Sequence, residues 1–441
     1  MKRLVAIVLF AFFAIVFPAQ KAEAVNNSVN NDKNHNRDIV KTDSLCSITL
    51  QECYKLAIEN STISKKDYAN NNISINDKKE ASSVFVPSVS LNGLTTYQSD
   101  VIGLDLPNVS SPRKGNYSVT LDMEQVIYDG GAASKKKDII TSDLKAETLK
   151  LDIEKLGLKD KVASMYLGMS LLKQNEKVMN LNIEILVRNL KKMKNLFDNG
   201  AGQKSDYLQL QSELLKANQS LNKIKSDEIK IAEMLSVLLG KSISAGYNYL
   251  LPSDEFNFMG TSQRPEYNYY DVQGKIIDQN IKLLQSKNLP KFSFFATGGN
   301  GLPGLNLLNR SPDWYYKAGL KLSVPLTGWE STRYKKLSLA SHKSLIADSE
   351  KDFSLSNEMQ ISSAKNMILK YRNMIYFDKK IVDIKREIAD IEEVKLQSGI
   401  ITSSEYITEL NKYKESMLSQ KLNEIKLIQS IINYKSAVGL N

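Results

Sequence analysis

Asp198-Asn199-Gly200-Ala201-Gly202-Gln203-Lys204-Ser205-Asp206 is a short polar turn set between two long stretches of helix-forming sequence. A second such turn, Gln397-Ser398-Gly399-Ile400-Ile401-Thr402-Ser403-Ser404-Glu405, stands 199 residues further on. Before the turns, 132–197 and 331–397 are rich in Lys, Leu, Glu, Ile and Met. After them, 206–239 and 404–438 have the same character. Gly200 and Gly399 suit the left-handed residue that closes a helix C-terminus. Ser205, and Thr402 or Ser403, are placed to N-cap the returning helices. Each turn therefore joins two helices into a hairpin.

Proline shows how far those helices can run. None of the ten prolines falls between 113 and 251, and none falls after 325. Because proline in a helix interior costs about 3 kcal/mol, these spans are open to very long helices, each about 100 Å at 1.5 Å per residue. Gly157 and Gly168 interrupt the first span at a cost of about 1 kcal/mol each.

The halves of the chain repeat. At an offset of 199, Tyr117 falls on Tyr316, Leu121 on Leu320, and Gly200 on Gly399. Asp206-Tyr207-Leu208 falls on Glu405-Tyr406-Ile407, and Leu239-Gly240 on Val438-Gly439. That period is too long for a solenoid unit and marks a duplicated domain.

Ahead of the long helices, the pattern changes to period 2. Tyr117, Val119, Leu121 and Met123 alternate with Ser118, Thr120, Asp122 and Glu124. Tyr316, Ala318, Leu320, Leu322 and Val324 alternate with Lys317, Gly319, Lys321 and Ser323. Val89 and Leu91, and Phe292 and Phe294, mark two further strands. All four have the length of tilted membrane-spanning strands, with a polar face for water and an apolar face for lipid. A soluble, half-buried sheet would show the same alternation. Four strands cannot close a membrane barrel, which needs about eight, so a barrel requires several copies. The segments 99–115 and 298–312, rich in Gly, Pro and Asn, are expected to be exposed loops.

The N-terminus reads as an export signal. Lys2 and Arg3 precede 14 apolar residues, 4–17, and Ala22-Glu23-Ala24 is a cleavage site. The run is too short to cross about 30 Å of hydrocarbon. The Asn- and Asp-rich segment 25–45 is expected to be a disordered tether. The net charge is +10, and +8 once three cations and one acid of the signal are removed. Lysines alternate with acids at helical spacing, as on a solvated helix face, and no nucleic-acid partner is expected. No later segment is long and apolar enough for a transmembrane helix. Cys46 and Cys53 are open to a disulfide, or Cys53 is a small buried hydrophobe on an amphipathic helix.

Enzymatic chemistry finds no footing. His35 lies in the tether and His342 among helical Lys and Ser, neither with metal-ligand spacing. Gly240-Lys241-Ser242 lacks the earlier glycine of a phosphate loop, where Leu235 stands. Gly298-Gly299-Asn300-Gly301 reads as a loop. No catalytic residue, cofactor or metal is expected.

The resulting plan has a signal peptide (1–24), a tether (25–45) and a first repeat (46–246). That repeat has strands near 86–97 and 116–127 and a hairpin over 131–240. A linker (247–263) leads to a second repeat (264–441), with strands near 290–298 and 314–325 and a hairpin over 330–438.

The order helix, strand, strand, long helix, turn, helix, twice over, resembles the TolC-like outer-membrane efflux proteins, or outer membrane factors. The resemblance is carried by Ile48-Thr49-Leu50-Gln51-Glu52-Cys53, Val86-Pro87-Ser88-Val89-Ser90 and Leu289-Pro290-Lys291-Phe292. Tyr128-Asp129-Gly130-Gly131, Arg264-Pro265-Glu266 and Val324-Pro325-Leu326-Thr327-Gly328 add to it. It covers about residues 46–441. It implies an α+β membrane protein in the outer membrane, with no catalysis, acting as a homotrimer. Each protomer would give four strands to a 12-stranded barrel and long helices to a 12-helix periplasmic tunnel. A periplasmic adaptor and an inner-membrane pump would be its partners, in efflux or type I secretion, with outer-membrane lipid around the barrel. Gly200 and Gly399 would mark the periplasmic aperture, and Asp206 and Glu405 are similar in position to the family's aperture acids. Those two acids are equally readable as helix N-terminal acids that complement the macrodipole. Ile401 stands where the family has Arg, and Thr408 where it has a second acid. A different class of reading, a periplasmic coiled-coil scaffold or adaptor without a barrel, explains the helices and the export signal but accounts less well for the four strands and the proline placement.

Overall fold

The computed structural model describes residues 47–101, 113–253, 257–258, 262–306 and 311–440. The signal peptide, the tether, Cys46 and parts of both strand-to-strand loops lie outside these residues. Cys53 is a free, fully buried thiol, and burial pushes its pKa up to about 11.

The chain opens with β1 (Ser47–Ile48), α1 (Leu50–Asn60) and α2 (Ile63–Ser82). A 3-10 turn, Ser83–Phe85, leads to β2 (Ser88–Tyr97) and β3 (Gly115–Tyr128). The first hairpin is α3 (Ala132–Asp198) and α4 (Lys204–Leu239). The short β4 (Asn248–Tyr249) precedes α5 (Pro265–Ser286), β5 (Lys291–Leu302) and β6 (Asp313–Ser323). The second hairpin is α6 (Trp329–Gln397) and α7 (Ser403–Val438).

Each proline-free span holds one unbroken long helix, of 67 and 69 residues. α3 continues through Gly157 and Gly168, since packing on both flanks outweighs their cost. α4 and α7 correspond residue for residue at the 199 offset. Upstream the offset becomes 203, because Pro87 precedes β2 and Pro290 precedes β5. The difference is taken up between the strands, where β5 runs on to Leu302. The stretch 298–302 is therefore strand and not loop. The opening helix of the first repeat is two helices, of which α2 matches α5. The linker contains β4, which pairs in parallel with β1.

The four long strands form one antiparallel sheet in the order β2-β3-β5-β6. The β3–β5 pairing joins the two repeats. Beyond the sheet the long helices pack side by side. α3 is flanked by α2 and α5 near the strands and by α4 and α7 near the turns. α6 lies beside α5 and then α7. At the β3–α3 joint, Gly130 (φ +76°) packs so closely on α5 that a Cβ would lie 2.7 Å from the Ser286 carbonyl oxygen.

Two cores hold the wall. Midway along α3, Val162, Ala163, Tyr166 and Met169 pack on α1, the end of α4 and Ile425, Ile428 and Ile432 of α7. There the buried Tyr166 hydroxyl lies 2.8 Å from the Ile48 carbonyl and 2.6 Å from that of Leu250. That hydroxyl ties the β1 and β4 segments to α3. Toward the turns, buried residues recur every seven positions: Met179, Leu186 and Met193 on α3, and Tyr406 and Tyr413 on α7. This is a coiled-coil seam. Asn182 and Asn189 interleave with the α3 set and are also buried. The Asn182 amide makes no hydrogen bond among the described residues. Polar residues in such a seam lower stability but specify register.

Leu190→Pro removes a helical hydrogen bond within this seam and is expected to cost about 3 kcal/mol or more. Circular dichroism should show lost helicity and a lower melting temperature. An unchanged melt would contradict a continuous α3.

Candidate functional site

The two hairpin turns are built alike and sit together. After α3, the Gly200 N–H donates to the Phe197 carbonyl and the Ala201 N–H to the Leu196 carbonyl. After α6, Gly399 donates to Leu396 and Ile400 to Lys395. Both are Schellman closures, with Gly200 at φ +70° and Gly399 at φ +71°. Glycine reaches that conformation without the steric cost a Cβ would bring.

The returning helices start differently. α7 has a full capping box: the Glu405 N–H donates to Thr402 Oγ1, and the Glu405 carboxylate accepts from the Thr402 N–H at 2.8 Å. The Thr402 N–H and hydroxyl hold the Glu405 carboxyl below its usual range, so it is ionised at neutral pH. α4 lacks such a box. Its N-cap is Gln203, and the expected cap Ser205 lies inside the helix, bonded to the Gln203 side chain. Asp206 instead reaches across to the second hairpin, where its Oδ1 accepts the Ser403 N–H at 2.9 Å. Both acids thus satisfy N–H groups at the start of α7, where the helix dipole favours negative charge.

Further bonds join the hairpins. Glu393 of α6 accepts from Arg188 at 2.9 Å and lies 3.7 Å from Lys192. The buried Asn189 amide donates to the Tyr406 hydroxyl at 2.9 Å. Asn411 donates to Glu213. Ile401 packs on the apolar cluster at the turns, and the Thr408 hydroxyl donates back to the Ser404 carbonyl. None of these cross-hairpin pairs was marked by a sequence motif.

At the other end, the sheet has two unlike faces. Asp122 accepts from Thr297 (2.6 Å), Asn92 (2.7 Å) and Thr120 (2.8 Å). Glu124 accepts from Ser293 and lies 3.7 Å from Lys321 of β6. These bonds tie all four strands on one face. On the opposite face stand Leu91, Val119, Leu121, Phe294, Tyr316, Leu320 and Leu322, following the strand register. All but the half-buried Phe294 are uncovered: Tyr316 is 85% exposed, Leu320 74%, and Trp314 on the same face 80%. Among the described residues, β2 and β6 each leave one edge unpaired.

The family model described as outer membrane efflux protein matches residues 69–241. Solved structures agree in fold. The outer-membrane channel OprN superposes with a TM-score of 0.70 at 14% identity, over 89% of this chain and 90% of that one. The outer membrane protein VceC of Vibrio cholerae gives 0.66 at 13%, over 88% and 96%. The CmeC outer membrane channel of Campylobacter jejuni gives 0.64 at 14%, over 88% and 85%. No curated protein matches the chain. The chain thus has the TolC-like fold, mostly helical with one four-stranded sheet at the end of the long helices.

Tyr406→Phe leaves the buried Asn189 amide without its hydroxyl partner, at an expected cost of about 1–3 kcal/mol. Asn189→Leu combined with Tyr406→Phe should recover much of the loss, since both polar partners are then gone. Thermal unfolding of the two variants reads this out, and equal melts for wild type and the single variant would count against the bond.

Proposed function

We propose that this chain is an outer membrane efflux protein, a passive exit duct assembled as a homotrimer. Twelve strands would form the barrel, four from each copy. Each copy would also give four helical columns to the tunnel: α3, α6, α2 with α4, and α5 with α7. Cargo would arrive from an inner-membrane pump through a periplasmic adaptor, in efflux or type I secretion. The observation that carries this reading is the sheet, with a hydrogen-bonded polar face, an uncovered apolar face and two open edges. In hydrocarbon each unsatisfied backbone group costs several kcal/mol, so an open sheet must close on further copies.

The helical wall supports the same assembly. The outer side of α6 exposes Phe377, Ile384 and Ile391, seven residues apart. α4 exposes Leu208, Leu215 and Ile229 at the same period. Such seams are what a coiled coil between neighbouring copies requires. At the tips, three copies of Asp206 and Glu405 would form an acidic ring around the aperture, favouring cations. Ile401, inside the tip cluster, would help hold the resting aperture by apolar contact.

Detergent-solubilised protein examined unheated by size-exclusion chromatography with light scattering should have three times the protomer mass and come from the outer membrane. A water-soluble monomer or dimer would instead favour a periplasmic scaffold. Glu405→Gln should lower the cation preference of single channels in planar bilayers, and unchanged selectivity would overturn the acidic ring.

A further inference from the structure

We propose that the first helical turns beyond the sheet bind the phosphates of anionic phospholipid in the leaflet nearer the helices. This rests on the reading of the sheet as a membrane barrel. The exposed apolar face of β6 continues past the strand end, through Leu320, Leu322, Val324 and Leu326 to Trp329. From Tyr316 to Leu326 is about 33 Å of extended chain, or about 25 Å of height at a barrel strand's tilt. That height matches the apolar band of a membrane barrel, with aromatic residues at both borders. Trp329 therefore stands at the lower border and is the first residue of α6.

The charge changes immediately below. Arg333 and Lys336 follow Trp329 at i+4 and i+7, which sets them on its face of the helix. Both are exposed. The 199 offset, unbroken from the hairpin turns to this point, puts Lys137 of α3 at the height and face of Lys336. Other lysines nearby are engaged: Lys135 pairs with Asp138, Lys136 with Glu80, and Lys343 with Asp278, while Lys335 is exposed like Lys336. No ion pair is made by Lys137, Arg333 or Lys336 among the described residues. The chain thus presents an aromatic border followed by unpaired cations, and one of them, Lys336, has a counterpart, Lys137, in the first repeat. That arrangement fits a layer of phosphate esters. Long basic side chains at such a border extend toward the headgroups and keep their stems on apolar surface. Each cation close to an anionic membrane surface contributes about fivefold in affinity.

Trp314 and Trp329 are the two tryptophans of the chain, so Trp314→Phe leaves Trp329 as the reporter. The full-length protein in this background is placed in detergent micelles and titrated with phosphatidylglycerol or phosphatidylcholine, each nitroxide-labelled near the headgroup. Quenching of Trp329 is followed. Phosphatidylglycerol should quench at several-fold lower concentration than phosphatidylcholine. Lys137→Gln, Arg333→Gln and Lys336→Gln together should remove that preference, with helicity by circular dichroism unchanged. The charge-conserving set Lys137→Arg, Arg333→Lys and Lys336→Arg should keep it. Equal quenching by both lipids would overturn the headgroup site and leave the barrel standing. Loss of the preference in millimolar inorganic phosphate would also overturn it, in favour of a free-phosphate site. Quenching by neither lipid would remove Trp329 from the bilayer and take the barrel reading down as well.

Discussion

Backbone hydrogen bonding at the sheet edges is the constraint from which the remaining architecture follows. The sheet is satisfied within itself, through antiparallel ladders and the Asp122 and Glu124 bonds, but β2 and β6 each end in an open edge. In water such an edge is a site for unwanted pairing. In lipid it is excluded outright, because nothing there solvates the exposed groups. On the proposed barrel reading, one copy of this chain is a segment of a wall. Its helices agree, since α3 is covered on both flanks while α6 is covered on one.

The duplication makes such a wall economical. Each repeat supplies two strands and two columns of helix, and the β3–β5 ladder joins the repeats edge to edge. The same pairing can then be reused between copies. The departures from exact repetition are local and have physical causes. α7 starts with its own capping box, whereas α4 starts without one and lends Asp206 to its neighbour. The two hairpins of a protomer are consequently cross-linked at their tips. Buried Asn182 and Asn189 lower the stability of the seam but restrict its register, which matters where heptads of similar residues lie side by side.

Much of this was legible in the residues. The absence of proline allowed two helices near 100 Å, Gly200 and Gly399 marked their ends, and period-2 alternation separated the polar and apolar faces of all four strands. These are local features, determined by the conformational preferences of a few adjacent residues. Where local signals were ambiguous, the reading strayed. Gly298-Gly299-Asn300-Gly301 looked like a loop, yet it is the end of β5, where Gly299 allows close approach of the β3 backbone. Ser205 looked like a cap, yet α4 begins one residue before it, because Gln203 takes the extended backbone of the N-cap.

What the sequence determined by itself was therefore the set of elements, their duplication and the polarity of each face. The tertiary structure decided which elements meet. It joined β3 to β5, β1 to β4, Asn189 to Tyr406, and Asp206 to the start of α7. These partners lie about 170 to 220 residues apart along the chain, and no periodicity connects them. Periodicity states that a face is apolar. What comes to lie against it depends on how helices of matched length pack side by side.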